Sequence, residues 1–579
     1  MMQHLRLVLK DVWYLTRPYF MSEERGRAWA LLIGVLALTF SLVGIDLVQS
    51  FARNVYYTAL QQRDVKTFLR GLFWYVRGES GNIIPGFFPI ATPALVIGVY
   101  LPYLQQMLQL RWRRWLTRRM TAQWLENQTY YRIALVTSGL EAGADNPDQR
   151  IQEDINSFVT DTLTQFVNLV TNIVTLFSYA GLLWALSGPL VVLGITIPGY
   201  FFWAALLYSI FATWITHLVG HRLAGLQFFQ QRAEADLRYG LVHVRDNAEG
   251  IALYGGETEE KAGLEHAFSS VYDNFLAIMR RTRGLGLLTT GLEVISGNFA
   301  LLVGSIRYFA NKMTFGTLMQ MVMAFSRVQG AMGWFSTSYA SLATWHAEVA
   351  RLATFQRVMD RAHAMEGECR ITPVAAGADM VVRDLTVLRP DGTTMLDHVS
   401  MTLRHGAMTV ISAPSGTGKS TLFRVLAGIW PFARGEIERP DTAMMFVPQR
   451  PYLPVGSLRR AVCYPMADTQ VSDTAVRAAL AAVGLAQLEA LLDEEAPWAQ
   501  TLSPGEQQRL AFARILVARP AWVFLDESTS SLDTVAEGML YAVLRRECPD
   551  ITLVSITHRA TLLEAHDTCI TLHRAGEAA

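Results

Sequence analysis

The run Ala413-Pro414-Ser415-Gly416-Thr417-Gly418-Lys419-Ser420 joins small residues, one lysine and one hydroxyl at the spacing of a phosphate-binding loop. It follows an apolar, strand-like stretch (Met408 to Ser412) and opens a helix-like one (Thr421 to Leu426). Ser415, Gly416, Thr417, Gly418 and Thr421 would let backbone N–H groups wrap a row of phosphates, Lys419 would meet the outer two, and the Ser420 hydroxyl would ligate Mg²⁺. Ala413 stands where the pattern has its first glycine. Pro414 pushes its predecessor toward extended backbone, where a Cβ carries no penalty, so alanine is expected to fit.

Further groups follow at spacings that suit the same chemistry. They are Phe446-Val447-Pro448-Gln449, Leu502-Ser503-Pro504-Gly505-Glu506-Gln507-Gln508-Arg509, an apolar Trp522-Val523-Phe524-Leu525 leading into Asp526-Glu527, then Ser531-Leu532-Asp533, and a strand-like Thr552 to Ile556 ending in Thr557-His558. Each alone is common, and a lone histidine is usually structural. Their order after a phosphate loop gives them weight together. At the end of a buried strand Asp526 would share the Mg²⁺ with Ser420, and Glu527 would polarise water in line with the γ-phosphorus. His558 near the γ-phosphate and Gln449 near metal and water have natural places in such positioning chemistry.

These groups need a frame, and composition says what kind. At 579 residues the chain is too long for one core, and at 51% apolar residues it is too apolar for an ordinary soluble protein. Lys+Arg and Asp+Glu are equal at 50 each, so no charge excess points to nucleic acid. The four cysteines (Cys369, Cys463, Cys548, Cys569) have no paired spacing, which suits neither a disulfide framework nor a zinc site. No signal peptide is expected, because Arg6, Lys10, Asp11 and Arg17 interrupt the first 20 residues.

His4 to Tyr19 spaces its apolar residues as an amphipathic helix, lying on a membrane surface or packed on a partner. Six long apolar stretches follow, near Ala28 to Phe51, Asn82 to Leu108, Phe158 to Leu186, Pro189 to His217, Gly286 to Phe309 and Thr314 to Tyr339. Each is long enough to cross a hydrocarbon layer that needs about 20 helical residues. The third and fourth are joined by a tight link at Ser187-Gly188, whereas the second-to-third and fourth-to-fifth links are long, polar and helical in pattern. Arg111, Arg113, Arg114, Arg118 and Arg119 begin the first long link, which places it in the cytoplasm. Within these links, Asp145-Asn146-Pro147-Asp148-Gln149-Arg150-Ile151 with Glu153 and Asp154, and Glu249 to Glu257, read as docking elements or as solvated caps and turns.

In the fifth stretch Thr289, Glu293, Ser296, Gly297 and Ala300 share a helical face, and in the sixth Gln320 and Arg327 do so amid several methionines. The stripe reads as the lining of a translocation path, with helix-to-helix hydrogen bonding as the alternative. After Arg351 the apolar pattern ends. Gly367 to Gly377 reads as a linker, and Val381 to Leu388 with Leu396 to Leu403 as paired strands across Pro390-Asp391-Gly392. The expected division is an amphipathic helix (1–27), a transmembrane domain (28–350), a linker (351–378) and a nucleotide-binding domain (379–579).

The second half resembles the nucleotide-binding domain of ATP-binding cassette (ABC) transporters over about Asp379 to His573. The resemblance implies that Ser503, Gly505 and Glu506 form the signature segment. Ser503 and Gly505 would contact the γ-phosphate bound by a second identical subunit, with Asp533 in the neighbouring loop. Two departures stand out: Pro504 replaces a second glycine, and Leu388-Arg389 occupy the place of the aromatic that stacks on adenine. In the first half, Asn146-Pro147-Asp148-Gln149-Arg150, Tyr254-Gly255-Gly256-Glu257 and Ala59-Leu60-Gln61 resemble subfamily D half-transporters and their YddA-like bacterial relatives, whose membrane domain is shared by SbmA/BacA-like peptide importers.

The implied fold is an α-helical membrane domain with six transmembrane helices in the exporter-type arrangement, plus an α/β phosphate-loop domain. The implied machine is a homodimer using ATP and Mg²⁺, embedded in the lipid of a bacterial inner membrane with its cassette cytoplasmic. It would move a peptide, cobalamin or other hydrophilic or amphipathic cargo. An acyl-CoA or lipid-like cargo, and an ATP-gated regulator without transport, are the alternatives. A non-transport ATPase acting on nucleic acid fits poorly with six apolar spans and balanced charge.

Overall fold

A computed structural model of the chain describes residues 2–77, 82–137, 146–192, 195–365, 367–414, 416–557 and 566–573. Asp145, Ser415 and His558 lie outside the described residues. The chain divides into two units, one formed by Met1–Ala122 with Asn146–Gln356 and the other by Gln123–Asp145 with Arg357–Ala579.

The first unit is helical because its apolar runs are long and carry few residues that break a helix. In chain order it holds α1 (Met2–Phe20), α2 (Arg25–Gln61), α3 (Val65–Phe73), the hairpin of β1 (Tyr75–Arg77) and β2 (Ile83–Pro85), and α4 (Phe87–Leu125). After α5 (Thr129–Thr137), which belongs to the other unit, come the turn α6 (Pro147–Gln149), α7 (Ile155–Ser187), the hairpin of β3 (Pro189–Val192) and β4 (Ile195–Pro198), α8 (Tyr200–Asp246) and α9 (Ala248–Tyr254). The unit closes with α10 (Glu257–Phe309), α11 (Phe315–Thr337) and the greater part of α12 (Tyr339–His363).

Five helical segments among the described residues are long and apolar enough to cross a membrane: Arg25–Gln61, Phe87–Leu135, Pro147–Ser187, Tyr200–Asp246 and Glu257–Phe309. The sixth expected span corresponds to α11, whose 23 residues extend about 35 Å, but it is not one of these five. With 47 and 53 residues, α8 and α10 reach about 70 and 80 Å, more than twice a hydrocarbon layer, so their polar ends must leave it. Buried Leu183, Phe201, Ala300 and Phe325 knit α7, α8, α10 and α11 together.

Two spans start later than their apolar runs suggest. Pro189 to Pro198 is not the start of the fourth helix but a β-hairpin, and the helix begins at Tyr200. Two prolines and the β-branched Val191, Val192, Ile195, Thr196 and Ile197 favour strands there, a preference that apolarity alone does not reveal. Ile83–Pro85 likewise pairs with Tyr75–Arg77 before α4 begins at Phe87.

The second unit is α/β. Its strands are β5 (Glu368–Val374), β6 (Met380–Leu388), β7 (Thr394–Leu403), β8 (Met408–Ser412), β9 (Ala433–Pro440), β10 (Met444–Val447), the short pair β11 (Gly456–Ser457) and β12 (Glu495–Ala496), β13 (Trp522–Asp526), β14 (Thr552–Ile556) and β15 (Thr568–Thr571). Its helices after α12 are α13 (Lys419–Leu426), α14 (Leu458–Cys463), α15 (Asp473–Ala482), α16 (Trp498–Thr501), α17 (Pro504–Ala518) and α18 (Thr534–Glu547). A parallel five-stranded sheet runs β10-β13-β14-β8-β15, and a four-stranded sheet runs β5-β9-β6-β7.

The expected strand pair is present as antiparallel β6 and β7. The stretch Gly367 to Gly377, expected as a linker, instead carries β5, which pairs with β9 as an edge strand that tolerates Pro373. Helix α5 belongs here too: Tyr131 and Leu135 pack against the core that holds Leu422 and Phe423, and Arg132 donates to the Met365 carbonyl at 2.9 Å. Because parallel strands bury both faces, Trp522 to Leu525 are all apolar, and the first polar residue appears where the strand ends.

Candidate functional site

The carboxyl ends of β10, β13, β14 and β8 lie side by side, the edge of an open α/β sheet where ligands bind. The phosphate loop leaves β8 and enters α13 at Gly418, whose backbone is left-handed (φ +103°). The left-handed backbone favours glycine, and a Cβ there would press on the Met395 methyl at 3.2 Å. Gly416 is also left-handed (φ +77°), whereas Ala413 is absent from the left-handed residues, as the following proline leads one to expect. The Thr417 hydroxyl closes the loop on the Pro414 carbonyl at 2.7 Å. Thr421 is buried in the first turn of α13.

Lys419 is buried at 6% exposure, and its ammonium donates to the Ala413 carbonyl at 2.6 Å. Burial pulls its pKa below the usual lysine value, against the opposing pull of Glu527 and Asp526. The Ser420 hydroxyl donates to the Asp526 carboxylate at 3.0 Å. Burial pushes Asp526 above the ordinary carboxylate range, while that hydrogen bond works the other way. These two oxygen donors suit Mg²⁺, which takes one or two protein oxygens and fills its shell with water and substrate phosphate. Among the described residues no group of three or more His, Cys, Asp and Glu offers a rival metal site.

Glu527 follows the buried strand with a left-handed backbone (φ +47°), a costly conformation for a residue with a Cβ. Its N–H bonds the Ile556 carbonyl at 3.1 Å, which holds the turn. Gln449, two residues past β10, donates to the Glu527 carboxylate at 3.3 Å. Ser420, Asp526, Glu527 and Gln449 therefore form one connected set.

Sequence reasoning missed the residue that ties this set to its surroundings. Gln508, 2% exposed on α17, donates to the Gln449 carbonyl and the Ser530 hydroxyl, both at 3.2 Å, and accepts from the Ser531 N–H at 2.9 Å. The sequence carries it inside the run Leu502 to Arg509, but as a polar residue on the apolar side of a helix it signals no role of its own.

Ser503 caps α17 in a capping box with Glu506, whose carboxyl the Ser503 hydroxyl and N–H hold below the usual range. Pro504 occupies the first turn, where its missing N–H would have no helical partner anyway. Gly505 lies against Leu532 and the Ser531 carbonyl. Asp533 caps α18 by accepting from the Ala536 N–H at 2.7 Å. Among the described residues none of Ser503, Gly505, Glu506 and Asp533 hydrogen-bonds to the phosphate loop.

In the helical unit the expected stripe divides. Thr289, Glu293, Ser296 and Gly297 line a cavity of about 450 Å³ with Ser209 and Trp334, while Ala300 turns into the core. Ser209 is 1% exposed and its hydroxyl has no partner among the described residues, and the Ser296 hydroxyl donates to Gln329. Gln320 is buried at 1% exposure, accepting from Asn54 at 2.7 Å and donating to Ser50 at 3.1 Å, so it joins α11 to α2. Arg327 pairs with Asp46 at 3.0 Å, and Asp46 also accepts from the Tyr179 hydroxyl at 2.6 Å.

Comparison with known proteins agrees with both units. Residues 15–309 match the family described as ABC transporter transmembrane region 2, and residues 396–530 match the family described as ABC transporter. An uncharacterised ABC transporter ATP-binding protein of Haemophilus influenzae is 33% identical, covering 98% of this chain and 93% of that protein. ABC transporter D family member 2, chloroplastic, of Arabidopsis thaliana is 30% identical over 99% of this chain and 87% of its own length. The inner membrane ABC transporter ATP-binding protein YddA of Escherichia coli is 28% identical over 98% of each. A bacterial Atm1-family ABC exporter with ATP bound shares the fold, with a TM-score of 0.69 at 20% identity over 96% of this chain and 94% of that one. With one transmembrane region, one cassette and relatives along its whole length, the chain belongs to the ABC transporters, as an ATP-hydrolysing half-transporter of the subfamily D and YddA kind with an exporter-type fold.

Proposed function

We propose that two copies of this chain form a homodimer in a bacterial inner membrane and use ATP to move a hydrophilic or amphipathic cargo, such as a peptide or cobalamin. The observation that carries the reading is the connected set Ser420, Asp526, Glu527 and Gln449 in a cassette whose Ser503 caps its own helix, with Gly505 in that helix's first turn. One chain thus holds the hydrolytic groups and leaves the far side of the nucleotide to be covered by another.

In this mechanism the loop N–H groups from Ser415 to Thr421 and the Lys419 ammonium orient the phosphates. Ser420 and Asp526, with Gln449 beside them, would hold Mg²⁺, which neutralises phosphate charge when bound. Glu527 takes the proton of a water in line with the γ-phosphorus, and His558 steadies the γ-phosphate oxygens. Ser503 and Gly505 of the second copy, framed by Glu506 and Asp533, close over the nucleotide. Closure is a two-state shift set by the difference in ATP affinity between open and closed cassettes.

The Asn146–Asp154 turn would carry that motion. Its Arg150 and Arg351 both grip buried Asp154 at 2.8 Å, so the turn is fixed firmly to α12. Helix α9, with Leu253 and Tyr254 at 80% and 92% exposure, would be the second docking element. Thr289, Glu293 and Ser296 would line the path, and Gln320 and Arg327 would hold its wall.

The test is reconstitution in sealed vesicles with ATP and labelled cobalamin or peptide. ATP-dependent uptake is expected, and mixing in Lys419→Ala copies should depress hydrolysis more than in proportion. Full hydrolysis by strictly single chains would overturn the dimer, and flux of neither cargo would overturn the transport reading as stated.

A further inference from the structure

A second cavity of about 650 Å³ lies at the ends of the helices marked by Ser187, Phe309 and Thr314, away from the 450 Å³ cavity. Arg307 and Lys312 line it together with Asn54, Asn311, Thr314 and Gln320, and no acidic residue does. Neither cation joins an ion pair among the described residues. In the same unit Arg327 is matched by Asp46, and Arg150 and Arg351 by Asp154, so these two are set apart.

The Arg307 guanidinium donates one N–H to the Ser187 carbonyl, and its Nε is buried with no partner among the described residues. A donor of this kind, shut away from water without an acceptor, is costly unless a ligand supplies one. The N-terminus of α11, a 23-residue helix, opens beside it, capped by the Thr314 hydroxyl. Its first N–H groups are capped, Phe315 by Gln61 and Thr317 by Thr314, so the helix adds only the modest positive potential of its dipole. The wall is firm: a Cβ at Gly316 would collide with the Asn54 carbonyl and the Thr58 hydroxyl, so α11 and α2 cannot slide there. Asn54, Gln320 and Thr314 spend their polar groups on one another, Ser50, Thr58 and Thr317, so what faces the pocket is two cations and the Asn311 amide, with no acidic lining residue to answer them.

We propose that this cavity binds an oxyanion, the phosphate or carboxylate group of a lipid headgroup or of a soluble molecule, between Arg307 and Lys312. Arginine supplies a planar fork for two oxygens, and lysine a mobile point charge at the rim. The site is separate from the Glu293 cavity and does not depend on the cargo path being correct. Its probes are assayed without nucleotide, so a chain that failed to transport would still be expected to bind them.

Two measurements on the purified full chain distinguish the sources. Native mass spectrometry in detergent compares retention of phosphatidylglycerol with that of phosphatidylcholine, and calorimetry measures binding of glycerol 3-phosphate. At least one anionic probe should bind, with preference over phosphatidylcholine in the lipid arm. Lys312→Gln should weaken it about tenfold, and Lys312→Arg should restore it. Arg307→Gln should do at least as much harm, but it also severs the Ser187 contact, so exposed Lys312 is the decisive position. Retention of phosphatidylglycerol alone assigns the site to a headgroup, and heat from glycerol 3-phosphate alone assigns it to a soluble anion. Binding of neither anionic probe by the wild-type chain, or Lys312→Gln indistinguishable from wild type, would overturn the proposal.

Discussion

The two units handle polar groups in opposite ways. In the nucleotide unit, groups 106 and 78 residues apart in the chain, Ser420 with Asp526 and Gln449 with Glu527, meet within hydrogen-bonding distance at one sheet edge. In the helical unit, residues read in sequence as one polar stripe over two helices serve different ends: Thr289, Glu293 and Ser296 line one cavity, Gln320 joins two helices, and Arg327 answers Asp46. A parallel sheet concentrates chemistry because every strand delivers its last residue to the same edge. A helix bundle disperses it, because each face of each helix meets a different neighbour.

The sharpest test of that contrast removes one group from the concentrated site. Glu527→Gln keeps the shape and the Gln449 contact partner but cannot accept a proton. Its hydrolysis rate should fall by about 100-fold or more, the range of a general base, with ATP binding retained. Rapid-quench hydrolysis beside nucleotide-binding titration would check it, and ordinary turnover would move the base elsewhere.

In the dispersed unit a single change should do less. Glu293 has no ion-pair partner among the described residues, and it is the one acidic residue lining the 450 Å³ cavity. Glu293→Gln should weaken cargo stimulation of hydrolysis by roughly tenfold in apparent affinity, the scale of one lost charge-assisted contact. A loss as large as that of Glu527→Gln would break the comparison, and no change in flux or stimulation would take Glu293 out of the path.

The same contrast explains what could be read from the chain. The phosphate loop, Asp526 and Glu527 were legible because each is defined by neighbours within a few residues and a strand of uniform apolarity. Gln508 was not, since its role requires Gln449, Ser530 and Ser531 to be assembled around it. Helical arithmetic placed Gln320 and Arg327 on one face but could not say which helix faces them. Gly367 to Gly377 looked like a linker because glycine and Pro373 obscure a strand that needs β9 beside it. The Pro189 to Pro198 hairpin was hidden because apolar strands and apolar helices look alike in short runs.

Gln508 therefore sharpens the comparison at its border, as a structural group inside the concentrated site. Gln508→Leu leaves the Ser531 N–H and the Gln449 carbonyl without this partner, and since both belong to exposed residues the cost is that of ordinary hydrogen bonds, about 0.5–1.5 kcal/mol each. Turnover should drop several-fold through misplacement of Gln449, with proton transfer by Glu527 intact. Denaturant unfolding together with the pH profile of hydrolysis separates the two, since only the overall rate should shift.

The smallest effect belongs to an acid outside both sites. Glu348, on α12, is 8% exposed with one carboxylate oxygen buried and unpartnered among the described residues, close to Asp161. Burial first, and Asp161 second, push its pKa from the ordinary carboxylate value of 4.5 up to about 7, with Arg351 pulling the other way. Between those two values the folded chain binds more protons than the unfolded one, so this group's contribution to stability is complete below the lower value. It is lost as pH rises through the higher one. Glu348→Gln cannot ionise, so its melting temperature should match the wild type near pH 5 and exceed it by about 2 °C at pH 8. Scanning fluorimetry of the full chain at the two pH values checks this. Parallel curves would mean that Glu348 stays ionised and is matched by Arg351, as Asp154 is one turn of contacts away, and the helical unit would then answer its buried charges more completely than the cavity with Arg307 and Lys312 suggests.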